Sequence, residues 1–272
     1  MLLDILQISG VPFRIDDFLA LSIIFAAIFG IVIHFIREIV FGRRGKRWDM
    51  KFDEVERYSK VQIVVHWLFL IFLFALLITG IIIFKIDYFN TVYPPIGEMG
   101  LRMLVAYHWY FSIALLDLAI FHIIYDSIII RKYDNFWFTR VDIHNLKTII
   151  RNFFGVSQEY PRIQKLHPMQ KIFHFGLAIT VFLLGFTGLT IWEPFLIFTR
   201  NIGLGPIESW LYIQNSRYLH DVFTFVLISL MIGHFYFSVL IPTNWKVFRG
   251  MTHGKLDLKS IEENKKDNSK KK

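Results

Sequence analysis

His108-Trp109-Tyr110-Phe111-Ser112-Ile113-Ala114-Leu115-Leu116-Asp117-Leu118-Ala119-Ile120-Phe121-His122 is a predominantly apolar stretch that begins and ends on histidine. A second follows: His220-Asp221-Val222-Phe223-Thr224-Phe225-Val226-Leu227-Ile228-Ser229-Leu230-Met231-Ile232-Gly233-His234. At roughly 100° per residue, fourteen steps return a side chain to nearly the same helix face, about 21 Å further along. A membrane-spanning helix of this kind presents one imidazole near each bilayer surface, and such helices can hold two stacked haems. Ionisable side chains at those depths are costly in hydrocarbon, which makes them candidates for function.

The rest of the chain supports a membrane reading. It is 54% hydrophobic, and apolar runs of about 20 residues, the length a span needs, occur at 18–41, 61–84, 103–130, 171–198 and 217–241. The formal charge of +8 does not point to nucleic acid, because the basic residues sit in loops between spans. Segment 42–60 carries Arg43, Arg44, Lys46, Arg47, Lys51, Arg57 and Lys60, segment 131–171 is also basic, and the chain ends in Lys270, Lys271 and Lys272. The opposite loops carry only Lys85 and Arg102, and Arg200 and Arg217. The positive-inside rule then puts the N-terminus outside and both long loops and the C-terminal tail in the cytoplasm. The first apolar run has no basic stretch before it and is long enough to span, so it reads as a retained helix. With no cysteine, the chain has no thiols for an iron–sulfur cluster or for covalently attached haem.

The four later spans read as one hairpin written twice. His66 is followed fourteen residues on by Gly80, within Thr79-Gly80, and His174 fourteen residues on by Gly188, within Thr187-Gly188. The partner helices carry the two quoted stretches. A shift of about 110 residues superposes all these features, as an internal repeat does. Both copies start in the cytoplasm, so the halves are related by an axis along the membrane normal. His108 and His220 are mates near the outer surface, where one haem can sit between them. Near the inner surface the symmetry allows His66 with His234, His122 with His174, or both. A lone histidine in a helix is usually a hydrogen-bonded packing residue; six at matched positions argue for ligation. The Thr-Gly pairs admit close helix packing or room for a macrocycle edge. His34 has no repeat mate and reads as packing or interfacial, while His144 and His253 read as solvated.

Asp117, nine residues from His108, is about 180° round the helix and faces away from the histidines; it reads as a carboxyl kept neutral by burial and hydrogen-bonded to a neighbouring helix, with a proton-path residue as the alternative. Asp221 reads as a surface group. Arg57, Lys60 and Lys171 are candidates for pairing haem propionates or for anchoring at headgroups. Segment 142–154 reads as an amphipathic helix with Ile143, Leu146, Ile149, Ile150 and Phe153 on one face, lying in the cytoplasmic interface. The charged tail from Lys255 reads as disordered.

Arg57-Tyr58-Ser59-Lys60-Val61-Gln62-Ile63-Val64-Val65-His66-Trp67, running into Thr79-Gly80, is similar to the first core helix of a di-haem cytochrome b family. That family comprises the gamma subunits of membrane formate dehydrogenases, the b-type cytochromes of nickel–iron hydrogenases and bacterial cytochrome b561. His220 to His234, followed by Phe235-Tyr236, resembles its last core helix, and the resemblance covers residues 57–250. It implies axial ligation by His66 with His234 for the inner haem and by His108 with His220 for the outer one. His122 and His174 depart from the family pattern and stand as alternative ligands. The extra first helix is similar to that of five-helix cytochromes such as the nitrate reductase gamma subunit. Lys165-Leu166-His167-Pro168-Met169-Gln170-Lys171 resembles the stretch lining a menaquinone pocket in formate dehydrogenase gamma subunits. By that likeness His167, Gln170 and Lys171 are quinone-site candidates. The same residues also fit an ordinary helix start with Pro168 in its first turn.

The expected architecture is an all-α integral membrane protein of five transmembrane helices, with a four-helix haem-binding bundle made of two repeated hairpins. Residues 1–56 hold the first helix and a basic loop, 57–250 the cytochrome b domain, and 251–272 a charged tail. The expected function is that of a membrane anchor in a respiratory oxidoreductase complex of a prokaryotic plasma membrane. Two b haems would pass electrons between an iron–sulfur subunit and menaquinone or another quinone, with the primary catalytic site on another subunit. The rival readings are a stand-alone b561-type electron-transfer enzyme and a haem-free proton or metal transporter or anchor.

Overall fold

The computed structural model describes residues 6–8, 11–13, 15–41, 58–86, 97–130, 138–153, 168–203, 213–240 and 245–254. Its polarity is inverted relative to a water-soluble protein. Thr79, Thr180, Thr187, Thr190, Asp126 and Lys171 are buried, whereas Phe18, Phe25, Phe29, Phe74 and Phe182 are exposed. Hydrocarbon outside and hydrogen-bonded polar groups inside produce this arrangement, since a polar group facing lipid has no water to bond.

Five helices among the described residues are long and apolar enough to cross a membrane. They are α1 (Ile15–Phe41), α2 (Lys60–Phe84), α3 (Gly97–Ile124), α5 (Pro168–Ile191) and α7 (Ile213–Phe235). Shorter helices are α4 (Arg140–Phe153), α6 (Glu193–Asn201) and α8 (Trp245–His253). The fourth span stops at Ile191 rather than continuing to 198. Pro194 cannot extend α5, since its ring would clash with the carbonyl four residues back, and it falls instead in the first turn of α6. Helices α3 and α7 each widen into π-helical turns, at Tyr125–Ile130 and Tyr236–Leu240, shortly after their second histidine.

Local chemistry sets several of the ends. Ser59 and Gln62 form a capping box at the start of α2: the Gln62 amide donates to Ser59 Oγ and the Ser59 amide to Gln62 Oε1. Thr139 and Asp142 do the same for α4. Helix α8 ends at Gly254, whose φ of 74° lies in the left-handed region. A Cβ there would meet the Tyr58 carbonyl oxygen at 2.9 Å.

Two compact units divide the chain, one comprising Met1–His34, Phe69–Phe121 and Phe175–Ile232, the other Phe35–Leu68, His122–His174 and Gly233–Lys272. In the first, Phe72 meets Phe111 and Phe84 meets Phe225. Trp109 stacks near Trp192, 4.5 Å between centroids. Helix α1 is held there by an ion pair between Asp17 and Lys85. In the second, Trp67 Nε1 donates to the Met251 carbonyl, fastening α8 to α2.

Three details go beyond the sequence reading. A short antiparallel hairpin, Leu6–Ile8 with Val11–Phe13, precedes α1 where no strand was read. The charged tail assigned to 251–272 starts later, because α8 reaches His253; it is anchored by Trp67 and by the hydrogen bond from the Tyr58 amide to the Gly254 carbonyl. The part from Lys255 lies outside the described residues. Helix α4 buries its polar side, Asp142, Asn145 and Thr148, and exposes Ile143 and Ile150. The reason is an ion pair, 2.7 Å, between Asp142 and Lys171 of α5, both almost wholly buried.

Candidate functional site

In the first unit, α3 supplies His108 and α7 supplies His220, with imidazole centroids 6.4 Å apart and planes at 70°. Each ring is held by a threonine from the neighbouring hairpin helix. Thr79 Oγ1 lies 2.8 Å from His108 Nδ1, and Thr187 Oγ1 lies 2.9 Å from His220 Nδ1. Each hydroxyl proton is already directed along its own helix, from Thr79 to the Ala75 carbonyl and from Thr187 to the Leu183 carbonyl. The threonine oxygen is therefore the acceptor and the imidazole Nδ1–H the donor. That choice of tautomer leaves Nε2 with its lone pair, as a metal ligand requires.

The glycine after each threonine lies beside the histidine. A Cβ at Gly80 would lie 3.3 Å from His108 Cε1, and one at Gly188 3.5 Å from His220 Cε1. At Gly80 the missing Cβ makes room for the His108 ring itself, a use neither sequence alternative named, whereas at Gly188 the same atom would meet His220 in ordinary van der Waals contact. Ser112 and Thr224 donate to the backbone carbonyls of His108 and His220, 2.7 and 2.8 Å. The repeat is thus carried down to single hydrogen bonds.

In the second unit, His66 of α2 and His234 of α7 have centroids 6.2 Å apart and planes at 57°. Trp67 stands edge-on to His66, and Phe173 to His234. A Cβ at Gly233 would press to 3.1 Å of the Phe173 ring, so glycine lets that aromatic approach. His174 Nδ1 donates to its own helix, at the Gln170 carbonyl, 3.2 Å. His122 Nδ1 faces Asp126 Oδ2 at 3.2 Å, and Gln62 Nε2 donates to Asp126 Oδ1 at 2.9 Å. His66 is within electrostatic range of His234, His174 and His122. All four histidines of this level therefore share one environment.

The fit to a bis-imidazole metal follows from bond lengths. A metal–imidazole bond of about 2.0–2.1 Å, as in zinc sites, plus about 1.2 Å from nitrogen to ring centre, separates opposed centroids by about 6.4 Å. Both histidine pairs have that spacing. Neutral imidazoles with no thiol or carboxylate in the ligand set suit haem iron.

Several sequence candidates lie elsewhere. Arg57 and His167 are outside the described residues. Lys60 is exposed in the first turn of α2. Lys171, offered by the sequence to propionates, quinone or headgroups, instead pairs with Asp142. Burial alone would raise the Asp142 carboxyl, but hydrogen bonds from Lys171 and Thr139 outweigh it and hold the group below its ordinary value. Asp117 is exposed rather than buried against a neighbouring helix, and Asp221 is half-buried rather than on the surface. Asp126, Gln62 and Asp142 were missed. The available signals were Asp126 four residues after His122 and the S-x-x-Q and T-x-x-D cap patterns, Ser59 to Gln62 and Thr139 to Asp142.

A family model described as prokaryotic cytochrome b561 matches residues 57–254, more than half of the chain. No curated protein matches the chain.

Proposed function

The chain belongs to the prokaryotic cytochrome b561 family of membrane electron-transfer proteins carrying b-type haem, and on that premise we propose that it conducts electrons through two haems. His108 with His220 would hold one, and His66 with His234 the other. When bound, each haem supplies a one-electron ferric–ferrous couple whose potential is tuned by its ligands and surroundings. Thr79 and Thr187 fix the tautomer of the first pair and make those imidazoles more basic. The apolar helix faces exclude water, and Phe173 and Trp67 wall the second pair.

The observation that carries this reading is the near-equal centroid spacing of the two histidine pairs, 6.2 and 6.4 Å, which would let each pair hold one haem iron. The wider role is that of a membrane subunit linking an iron–sulfur partner on the outer face to a quinone near the start of α5. Basic loops on one side support an N-terminus outside and a C-terminus in the cytoplasm of a prokaryotic cell. Gln170, half-buried in the first turn of α5, and His167 just before it are the quinone contacts in this proposal. His167 would pass the proton that quinone reduction consumes.

Haem content per chain tests the core of the proposal, by pyridine haemochrome assay and reduced-minus-oxidised spectra of purified protein. Two b haems are expected, with the same spectral component lost in His108→Ala and in His220→Ala. Three would bring His122 and His174 in as ligands. None would return the chain to the haem-free transporter reading. Co-purification of an iron–sulfur subunit separates the complex from a stand-alone enzyme.

A further inference from the structure

We propose that α4 is a docking surface for anionic phospholipid, with its isoleucines set among the acyl chains and its basic edge on the headgroup phosphates. The inference is independent of the haem assignment. It starts from a helix with three different sides.

Asp142, Asn145 and Thr148 make the buried side. Ile143 and Ile150, about two turns apart, make an exposed apolar side, 61% and 48% open. Arg140, Lys147 and Arg151, all exposed, form a basic edge. At roughly 100° per residue, that edge runs about 70° round the helix from the isoleucines. Asp142 is the one acid in α4, and it is turned inward, 2.7 Å from Lys171 at the start of α5. The outward part of the helix therefore carries positive charge undiluted by acids of its own.

Membrane geometry decides what such a helix meets. It follows α3 and precedes α5, both long and apolar enough to cross a membrane, so it lies at the bilayer surface where those spans are joined. The bond from Lys171 Nζ to Asp142 Oδ2 ties it to the first turn of α5 and keeps it there. Isoleucines left in water would forfeit the gain of burial, whereas an interfacial helix lowers its apolar side into the acyl boundary. Long basic side chains beside that apolar side reach back to the headgroups, where they bond phosphate oxygens. A choline headgroup sets its own cation against the basic edge, so lipids of net negative charge are preferred. A protein partner would have to displace the bilayer from the same side, because α5 holds α4 at the membrane.

Two readings on the purified full chain test this. Because the chain contains no cysteine, a nitroxide on Ile143→Cys reports where the apolar side sits in vesicles of phosphatidylcholine and phosphatidylglycerol. Its relaxation should respond to oxygen, which concentrates in hydrocarbon, and little to a water-soluble nickel chelate. A label on His144→Cys, exposed beside the basic edge, should show the opposite preference. In detergent, native mass spectrometry should find phosphatidylglycerol retained more tightly than phosphatidylcholine. The double variant Lys147→Gln with Arg151→Gln should weaken the tightest phosphatidylglycerol site by about fivefold for each charge removed. Arg102→Gln with Arg217→Gln, which removes two exposed arginines from α3 and α7, should keep the wild-type preference. If the α4 variant does not fold, added salt takes its place, since it should release phosphatidylglycerol from the wild type. Chelate access at Ile143→Cys overturns the proposal, because the apolar side would then face water. A label closed to both probes also overturns it, since a protein surface would cover that side. Equal binding of the two lipids, or an equal loss in the Arg102 and Arg217 variant, overturns it as well.

Discussion

At the scale of single residues, the threonines that hold His108 and His220 do more than pack. Each accepts the imidazole Nδ1–H, and in the proposed ligation an acceptor there would make the ligand more basic and favour the ferric state. Thr79→Val keeps the shape and removes the acceptor. The His108–His220 component should then retain haem but rise in midpoint potential by on the order of tens of millivolts, the scale of one ordinary hydrogen bond of about 1 kcal/mol. An unchanged potential would show that the contact is steric only. The glycines make a comparative test. A Cβ at Gly80 comes closer to its imidazole than one at Gly188, 3.3 against 3.5 Å. Gly80→Ala should therefore perturb haem binding more than Gly188→Ala, visible as a larger fractional loss of that component in difference spectra. The reverse order would mean the missing side chains serve something other than the rings.

At the scale of elements, α4 is held by chemistry rather than by its apolar stripe. Asp142 closes the capping box and pairs with Lys171 across to α5. Removing one partner of a buried pair strands the other charge, and about 3–5 kcal/mol is the usual cost. Lys171→Met and Asp142→Leu should each lower the thermal midpoint in detergent sharply. The double variant should recover much of the loss, because no charge is left unpaired. Additive losses would rule the pairing out as the cause. The pH dependence has a definite sign. The folded carboxyl lies below its ordinary value of 3.8, so its contribution to stability is present at neutral pH. It fades as pH falls below that value and through the folded one. Asp142→Leu should blunt this acid sensitivity in a pH series of melting curves.

At the scale of the whole molecule, the proposed orientation is directly measurable because the chain contains no cysteine. Single cysteines at Ser9 and Ser269 should be labelled by a membrane-impermeant maleimide from opposite sides, Ser9→Cys from outside intact cells and Ser269→Cys only after the inner face is opened. Labelling of both from outside would invert or break the topology. Much of this architecture was legible in the residues. The spans were, because about 20 apolar residues is a length only a membrane demands. So were the matched histidine positions, though not their pairing, because fourteen residues is nearly whole turns of helix and the spacing recurs. Gln62 with Asp126 was not, being a contact across 64 residues between helices whose facing sides no periodicity reveals. Lys171 was misread for a related reason: a lysine at a span's end is equally a headgroup anchor or a buried ion-pair partner, and only the docking of α4 chooses. Composition and spacing by themselves thus determined a five-span protein with six histidines at matched positions, since both follow from local geometry along one helix. Only the tertiary structure decided which rings stand a metal's width apart, which oxygen holds each Nδ1, and which carboxyl is buried beside them, because those depend on how helices distant in sequence meet.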